Sequence, residues 1–107
     1  MWKHACRAAE VPAKGLKEVA VEGGPSVVIA NAGTEFFACQ AACPHTDVPL
    51  ADGIHDGKVL TCLEHMWQFD LRTGAALGDA EAPVTTYKTK EEAGELYVWV
   101  EPEVHGR

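Results

Sequence analysis

Residues 23–39 read Gly23-Gly24-Pro25-Ser26-Val27-Val28-Ile29-Ala30-Asn31-Ala32-Gly33-Thr34-Glu35-Phe36-Phe37-Ala38-Cys39. The run 26–30 is apolar and β-branched, too short for a helix, and bounded on both sides by turn-forming residues. Residues 34–39 follow at once, so the two runs predict a β-hairpin. The same grammar recurs outward along the chain. Residues 2–6 and 16–21 predict strands before it, and Asp56-Gly57 ahead of Lys58-Val59-Leu60-Thr61 predicts a second hairpin. Residues 84–90 and 95–101 predict a third, around Glu91-Glu92-Ala93-Gly94. In Leu96-Tyr97-Val98-Trp99-Val100 both odd and even positions are apolar, which predicts a strand covered on both faces. One helical turn is expected over residues 7–11, before Pro12. Short strands separated by turns predict an all-β antiparallel sandwich. Residues 43–83, with fewer clear strands, read as a functional insert held by that scaffold.

The chain of 107 residues has the length of one domain, 1–107. With 47% hydrophobic and 23% charged residues it has the composition of a folded globule. Sixteen acids against nine Lys and Arg give a net charge of -7, which excludes the basic footprint that nucleic acid demands. The same charge suits docking on basic patches of partner proteins. No apolar run approaches the eighteen or so residues of a membrane span, and charges interrupt the N-terminal residues where a signal peptide needs an apolar core. A cytoplasmic protein is therefore expected. In that compartment Cys6, Cys39, Cys43 and Cys62 are expected to be reduced thiols, so cysteines near histidines are candidate metal ligands. Cys6 and Cys39, which have no histidine partner within a ligand motif, read as small buried hydrophobes, and His4, His55 and His105 as surface residues.

Cys43-Pro44-His45 is followed, after sixteen residues, by Cys62-Leu63-Glu64-His65. Two thiols and two imidazoles form a four-ligand set that either zinc or an iron–sulfur centre accepts. Zinc modules usually pair cysteine with cysteine and histidine with histidine, whereas each pair here is mixed. Thiolate stabilises ferric iron and neutral imidazole the reduced state. Two cysteines on one iron and two histidines on the other therefore raise the potential above that of a four-cysteine cluster.

The spacing and its surroundings resemble the Rieske family. Pro44, Leu50, Gly53 and the stretch Phe69-Asp70-x-x-Thr73-Gly74 fit the same pattern, which extends from about residue 37 to residue 100. The resemblance implies a Rieske fold, an antiparallel β-sandwich with a small cluster-binding subdomain whose loops span about 43–50, 62–70 and 79–84. It implies one [2Fe–2S] cluster, with Cys43 and Cys62 on one iron and His45 and His65 on the other through Nδ1. Pro83 falls in the third, shielding loop. Trp67 is expected to shield the cluster or to line a docking face. Asp47, Asp52, Asp56 and Glu64 each read first as a plain solvated carboxylate, with electrostatic contact around the exposed histidines as the second reading.

Cytochrome bc-type relatives add a cysteine to each cluster loop and place hydroxyl side chains beside the cluster. This chain has neither extra cysteine, and carries Trp67 and Phe69 in the second position. Without hydroxyl hydrogen bonds the potential should fall near the lower end of the Rieske range, roughly -150 mV. The chain has no room for an oxygenase catalytic domain, so the resemblance implies a free ferredoxin, an electron carrier and not itself an enzyme. Its expected partners are an NAD(P)H-dependent flavoprotein reductase and, from the His65-x-Trp67-x-Phe69 text, the diiron hydroxylase of a toluene-type multicomponent monooxygenase. The alternatives are the ferredoxin of a Rieske ring-hydroxylating dioxygenase, a nitrite reductase small subunit, and a zinc-bound structural module. A monomer, free of nucleic acid and membrane, is expected.

Overall fold

A computed structural model describes residues 1–101. Its strands are β1 (Trp2–Arg7), β2 (Leu16–Ala20), β3 (Ser26–Asn31), β4 (Phe36–Gln40), β5 (Ile54–His55), β6 (Val59–Thr61), β7 (Gln68–Asp70), β8 (Ala76–Leu77), β9 (Thr86–Tyr87), β10 (Thr89–Glu92) and β11 (Glu95–Trp99). They form three antiparallel sheets, ordered β1-β11-β10, β2-β3-β4-β9 and β5-β6-β7-β8. The expected helical turn is a single 3-10 turn, Ala8–Glu10. No helix among the described residues is long and apolar enough to cross a membrane.

The middle sheet is the hub. Val27, Val28, Ile29 and Ala30 on β3 are all buried, and their alternation sends them to two different cores. Val27 and Ile29 pack with Val19, Cys6, Leu96 and Val98 against the first sheet. Val28 and Ala30 pack with Leu50, Leu60, Phe69, Leu71 and Val84 against the third. At roughly 1.5–3 kcal/mol for each large aliphatic or aromatic side chain buried, the two interfaces bind three layers together.

Three expectations change on this architecture. Residues 84–90 are not one strand: β9 pairs with β4 in the middle sheet, while β10 pairs with β11 in the outer one. The chain changes layer at Lys88, and a run of strand-forming residues does not mark that step. The strand covered on both faces is β3, not β11. Leu96 and Val98 are buried, but Tyr97 and Trp99 on the opposite face are only half-covered, by a side-chain ladder. There Trp2 meets Trp99 edge-on at 5.5 Å, His4 meets Tyr97 at 5.5 Å, and Lys90 Nζ lies 4.8 Å from the Trp2 ring. His4 is exposed as expected, paired with Glu95. His55 is buried instead: Nε2 donates to the Gly15 carbonyl at 3.1 Å, and Nδ1 accepts the Gly57 N–H at 3.0 Å. His105 lies outside the described residues.

One side-chain contact and one backbone contact hold the third sheet in place. Arg72 reaches Glu35 with both guanidinium nitrogens, the shorter contact 2.6 Å, and lies 5.0 Å over the Phe37 ring. Gly74, at φ +81°, lets its own backbone approach that of Val84, whose N–H donates to the Gly74 carbonyl at 2.9 Å. A Cβ there would lie 2.2 Å from the Val84 carbonyl oxygen.

Replacing Gly74 by alanine therefore adds both a left-handed backbone penalty and a clash, and should cost about 2 kcal/mol or more in a denaturant titration. Acid acts on the same sheet. Asp56 accepts the N–H groups of Val59 and Lys58, and Asp70 those of Thr73 and Arg72, which holds both carboxyls below their usual range. Depressed folded-state values stabilise the fold above the unfolded value, about 3.9, and that gain is lost as pH falls through the folded values. The double variant D56N/D70N should be less stable than the parent at pH 6 and should converge with it towards pH 2, in paired unfolding curves.

Candidate metal centre

The two loops that carry the Cys-His pairs are closed in the same way. The Cys43 N–H donates to the Val48 carbonyl at 3.0 Å, and the Cys62 N–H to the Trp67 carbonyl at 2.8 Å. The first loop leaves β4 and is pinned at its return by the Ala42–Pro49 bridge and by the Leu50 N–H on the Ala41 carbonyl, with Leu50 fully buried. The second joins β6 to β7, so its ends are fixed by adjacent hydrogen-bonded strands. Both loops thus project from the same end of the third sheet.

That arrangement brings all four candidate residues together, sorted by type. Cys43 and Cys62 are buried at 2% and 1% exposure, while His45 and His65 are exposed. The two Nδ1 atoms lie 3.3 Å apart and the rings meet edge-on at 4.7 Å. The Cys62 thiol lies against that of Cys43. Burial foremost, with the second thiol and Glu64 adding to it, pushes the Cys62 thiol up; the Glu64 N–H aimed at the sulfur opposes the rise. Metal coordination overrides such a rise, because a bound cation deprotonates a thiol outright.

Backbone strain is concentrated in the second loop. His65 and Met66 adopt successive left-handed conformations, φ +63° and +59°, without being glycine. Each costs roughly 1 kcal/mol or more. Trp67 follows and is buried at 8% exposure. Its ring stands 4.5 Å from His45 at a 37° tilt, with Phe69 edge-on behind it at 6.3 Å. A third loop, residues 77–84, completes the enclosure: Ala80, Ala82 and Val84 pack on the core that holds Cys43, Cys62 and Trp67, while Pro83 is exposed.

Gln40 was not singled out by the sequence, and it ties the first loop to the third. Its Oε1 accepts the Thr85 N–H at 2.7 Å, and its Nε2 donates to the Ala42 carbonyl at 2.7 Å. A polar residue closing an apolar strand just before Ala41-Ala42-Cys43 was the available signal. Asp56 is exposed and caps the turn at the opposite end of β6, away from the histidines. Asp47 and Glu64 are exposed within the two ligand loops, and Asp52 is exposed in the 3-10 turn Leu50–Asp52. Cys6 and Cys39 are buried strand residues whose thiols burial pushes up, that of Cys39 to about 12.

Charge is segregated along the third sheet. Between residues 36 and 87 the only basic residues are Lys58 and Arg72, against Asp47, Asp52, Asp56, Glu64, Asp70, Asp79 and Glu81. Lys58 and Arg72 line one hollow, with Gly57 and Asp70, at the end away from the ligand loops. The three loops at the site carry Asp47, Glu64, Asp79 and Glu81 and no base.

The donor set fits a dinuclear iron–sulfur centre. Two imidazole nitrogens about 2.0–2.1 Å from one tetrahedral ion are about 3.4 Å apart, close to the separation seen here. The thiols form the corresponding inner pair. Among the described residues, no three His, Cys, Asp or Glu side chains are grouped as they are around a single ion.

Comparison with known proteins agrees. A family model described as Rieske [2Fe-2S] domain matches residues 1–88. The methanesulfonate monooxygenase ferredoxin subunit of Methylosulfonomonas methylovora is 38% identical over 104 residues, 96% of this chain and 84% of the relative. The 3-phenylpropionate/cinnamic acid dioxygenase ferredoxin subunit of Escherichia coli (strain K12) is 32% identical over 97 residues, 89% of this chain and 90% of the relative. Among solved structures, the Sphingomonas yanoikuyae B1 ferredoxin superposes with a TM-score of 0.82 at 30% identity, covering 89% of this chain and 94% of that one.

Gln40→Leu leaves the exposed Thr85 N–H and the half-buried Ala42 carbonyl to water and should cost about 0.5–1.5 kcal/mol. Hydrogen exchange at the Thr85 amide should accelerate more than at the β3 amides. Equal protection at both in the variant would show that Gln40 does not hold the loops.

Proposed function

Because the chain belongs to the Rieske [2Fe-2S] domain family, we propose that it is the ferredoxin of a multicomponent oxygenase. It takes single electrons from an NAD(P)H-dependent flavoprotein reductase and delivers them to the oxygenase component. The observation that carries this reading is the sorting of the four donors at one end of the molecule, thiols dry and imidazoles at the surface. Cys43 and Cys62 would hold the cluster from the buried side, and His45 and His65 from the exposed side. When bound, the cluster supplies one site for reversible one-electron exchange.

The chain's own residues do the rest. The two closed loops fix the donors, and Trp67 with Phe69 keeps water from the inner side while stacking on His45. The segment 66–69, Met66-Trp67-Gln68-Phe69, brings no hydroxyl to the site, which supports a potential near the lower end of the Rieske range, roughly -150 mV. The exposed histidines are the exit, and the acid-only loops around them favour partners with basic rims. The protein works as a single domain, 1–107, in the cytoplasm, as a monomer that meets its two partners in turn. It is a carrier and not a catalyst.

The class of oxygenase has support in both directions. A monooxygenase ferredoxin and a dioxygenase ferredoxin are relatives at 38% and 32% identity. The diiron hydroxylase of a toluene-type system rests on the local text Ala42-Cys43-Pro44-His45 and Cys62-x-Glu64-His65-Met66-Trp67-x-Phe69, and neither relative is named as a component of such a system.

Reconstitution tests the proposal. With NAD(P)H and a flavoprotein reductase, the protein should support turnover by an oxygenase from a panel spanning both classes. Reduction of that oxygenase should slow severalfold between about 50 and 500 mM salt, because acid-only loops steer encounter electrostatically. Cys62→Ala and His65→Ala should each abolish the visible absorption of the purified protein and all turnover. Full colour in either variant would remove that residue from the ligand set, and failure with every oxygenase would remove the carrier role.

A further inference from the structure

We propose that Met66 is the principal apolar contact between this protein and its oxygenase, seated in a hollow with a Lys/Arg rim on that partner. The inference rests on the carrier role proposed above and names the residue that sets affinity at the exit.

Met66 occupies a position whose backbone asks for glycine. At φ +59°, next to His65 at +63°, any side chain beyond Cβ carries a penalty that glycine would not. Side chains in such positions are normally retained because they pack, yet Met66 is 57% exposed and contributes to neither hydrophobic core. Its neighbour Leu63, in the same four-residue turn 63–66, is 53% exposed. The loop thus pays strain and leaves two large apolar side chains in water, flanking a histidine that is itself exposed. Among the described residues, no packing of these two side chains offsets either cost.

A partner surface does repay them. Methionine is unbranched and polarisable, and adapts its shape to a hollow on another protein. Apolar anchors of this kind give most of their energy when ringed by polar groups that exclude water. The three loops at the site carry Asp47, Glu64, Asp79 and Glu81 and no lysine or arginine, so polar groups of one sign are available for such a rim. An apolar centre with an acidic rim is complementary to an apolar hollow with a basic rim. The location also matters for function, since contact at Met66 brings the partner against the His65 ring.

The geometry separates stability from affinity, because Met66→Gly should improve one and harm the other. The holoprotein variants M66G, M66Q and M66L are compared with the parent, using the oxygenase that the parent reduces in the reconstitution panel. M66G relieves the backbone, so its denaturation midpoint should equal or exceed the parent's. Its KM as electron donor should nevertheless rise about tenfold, with kcat, reduction potential and visible spectrum unchanged. M66Q keeps the length and the strain but is polar, and should show the same rise in KM. M66L should restore KM to within about twofold, being apolar and of similar volume. A parent-like KM in both M66G and M66Q would overturn the inference while leaving the carrier role intact. A shifted potential or spectrum in M66G would also overturn it, because Met66 would then act on the cluster. A parent protein that reduces no oxygenase in the panel would overturn the carrier role and the inference with it.

Discussion

Four consecutive side chains, Val27 to Ala30, have almost no contact with water, and a strand can achieve that only when both of its faces are covered. This requirement organises the molecule. One cover is the three-stranded sheet built from the two ends of the described chain, β1 and β11 with β10. The other is the third sheet, whose buried Leu60, Phe69 and Leu71 lie on Val28 and Ala30. The loops at its end are therefore mounted on a rigid layer, and the site gains precision from packing some distance away. The turns capped by Asp56 and Asp70 lie at the end of that sheet opposite the Cys-His loops.

The site works by dividing one donor set between two environments. Thiols at the inner position are shielded by Trp67, Phe69 and the third loop, while imidazoles at the outer position meet solvent. A low-dielectric inner side strengthens every electrostatic interaction with a bound cluster, and an exposed outer side shortens the path to a partner. The strained pair His65 and Met66 lies at the boundary between these environments. Its cost is set against the burial of the sheet that carries it.

Much of this was legible in the residues, and what was not has physical reasons. The strands of the two N-terminal hairpin segments were readable because β-branched runs and turn residues are local signals. The ligand loops were readable because mixed Cys-His pairs at that spacing are rare. Sheet membership was not, since residues 84–90 favour extended backbone throughout and the change of layer at Lys88 follows from long-range packing. The doubly covered strand was assigned to β11, whose aromatic outer face looks apolar in sequence but is covered only by a ladder of its own neighbours. His55 reads as a turn residue and is buried because two backbone groups satisfy its ring nitrogens. Gln40 bonds a remote amide that only its place at the end of an apolar strand hints at, and the left-handed backbone of Met66 has no counterpart in a sequence pattern.

The central claim is that Cys43, His45, Cys62 and His65 hold one [2Fe–2S] cluster. It is tested most directly by the EPR spectrum of the dithionite-reduced protein, recorded after anaerobic expression and alongside metal analysis. The account predicts two irons per chain and a rhombic signal with the low average g-value of mixed cysteine and histidine ligation. A colourless protein with one zinc and no EPR signal, from cells competent in cluster assembly, would contradict it.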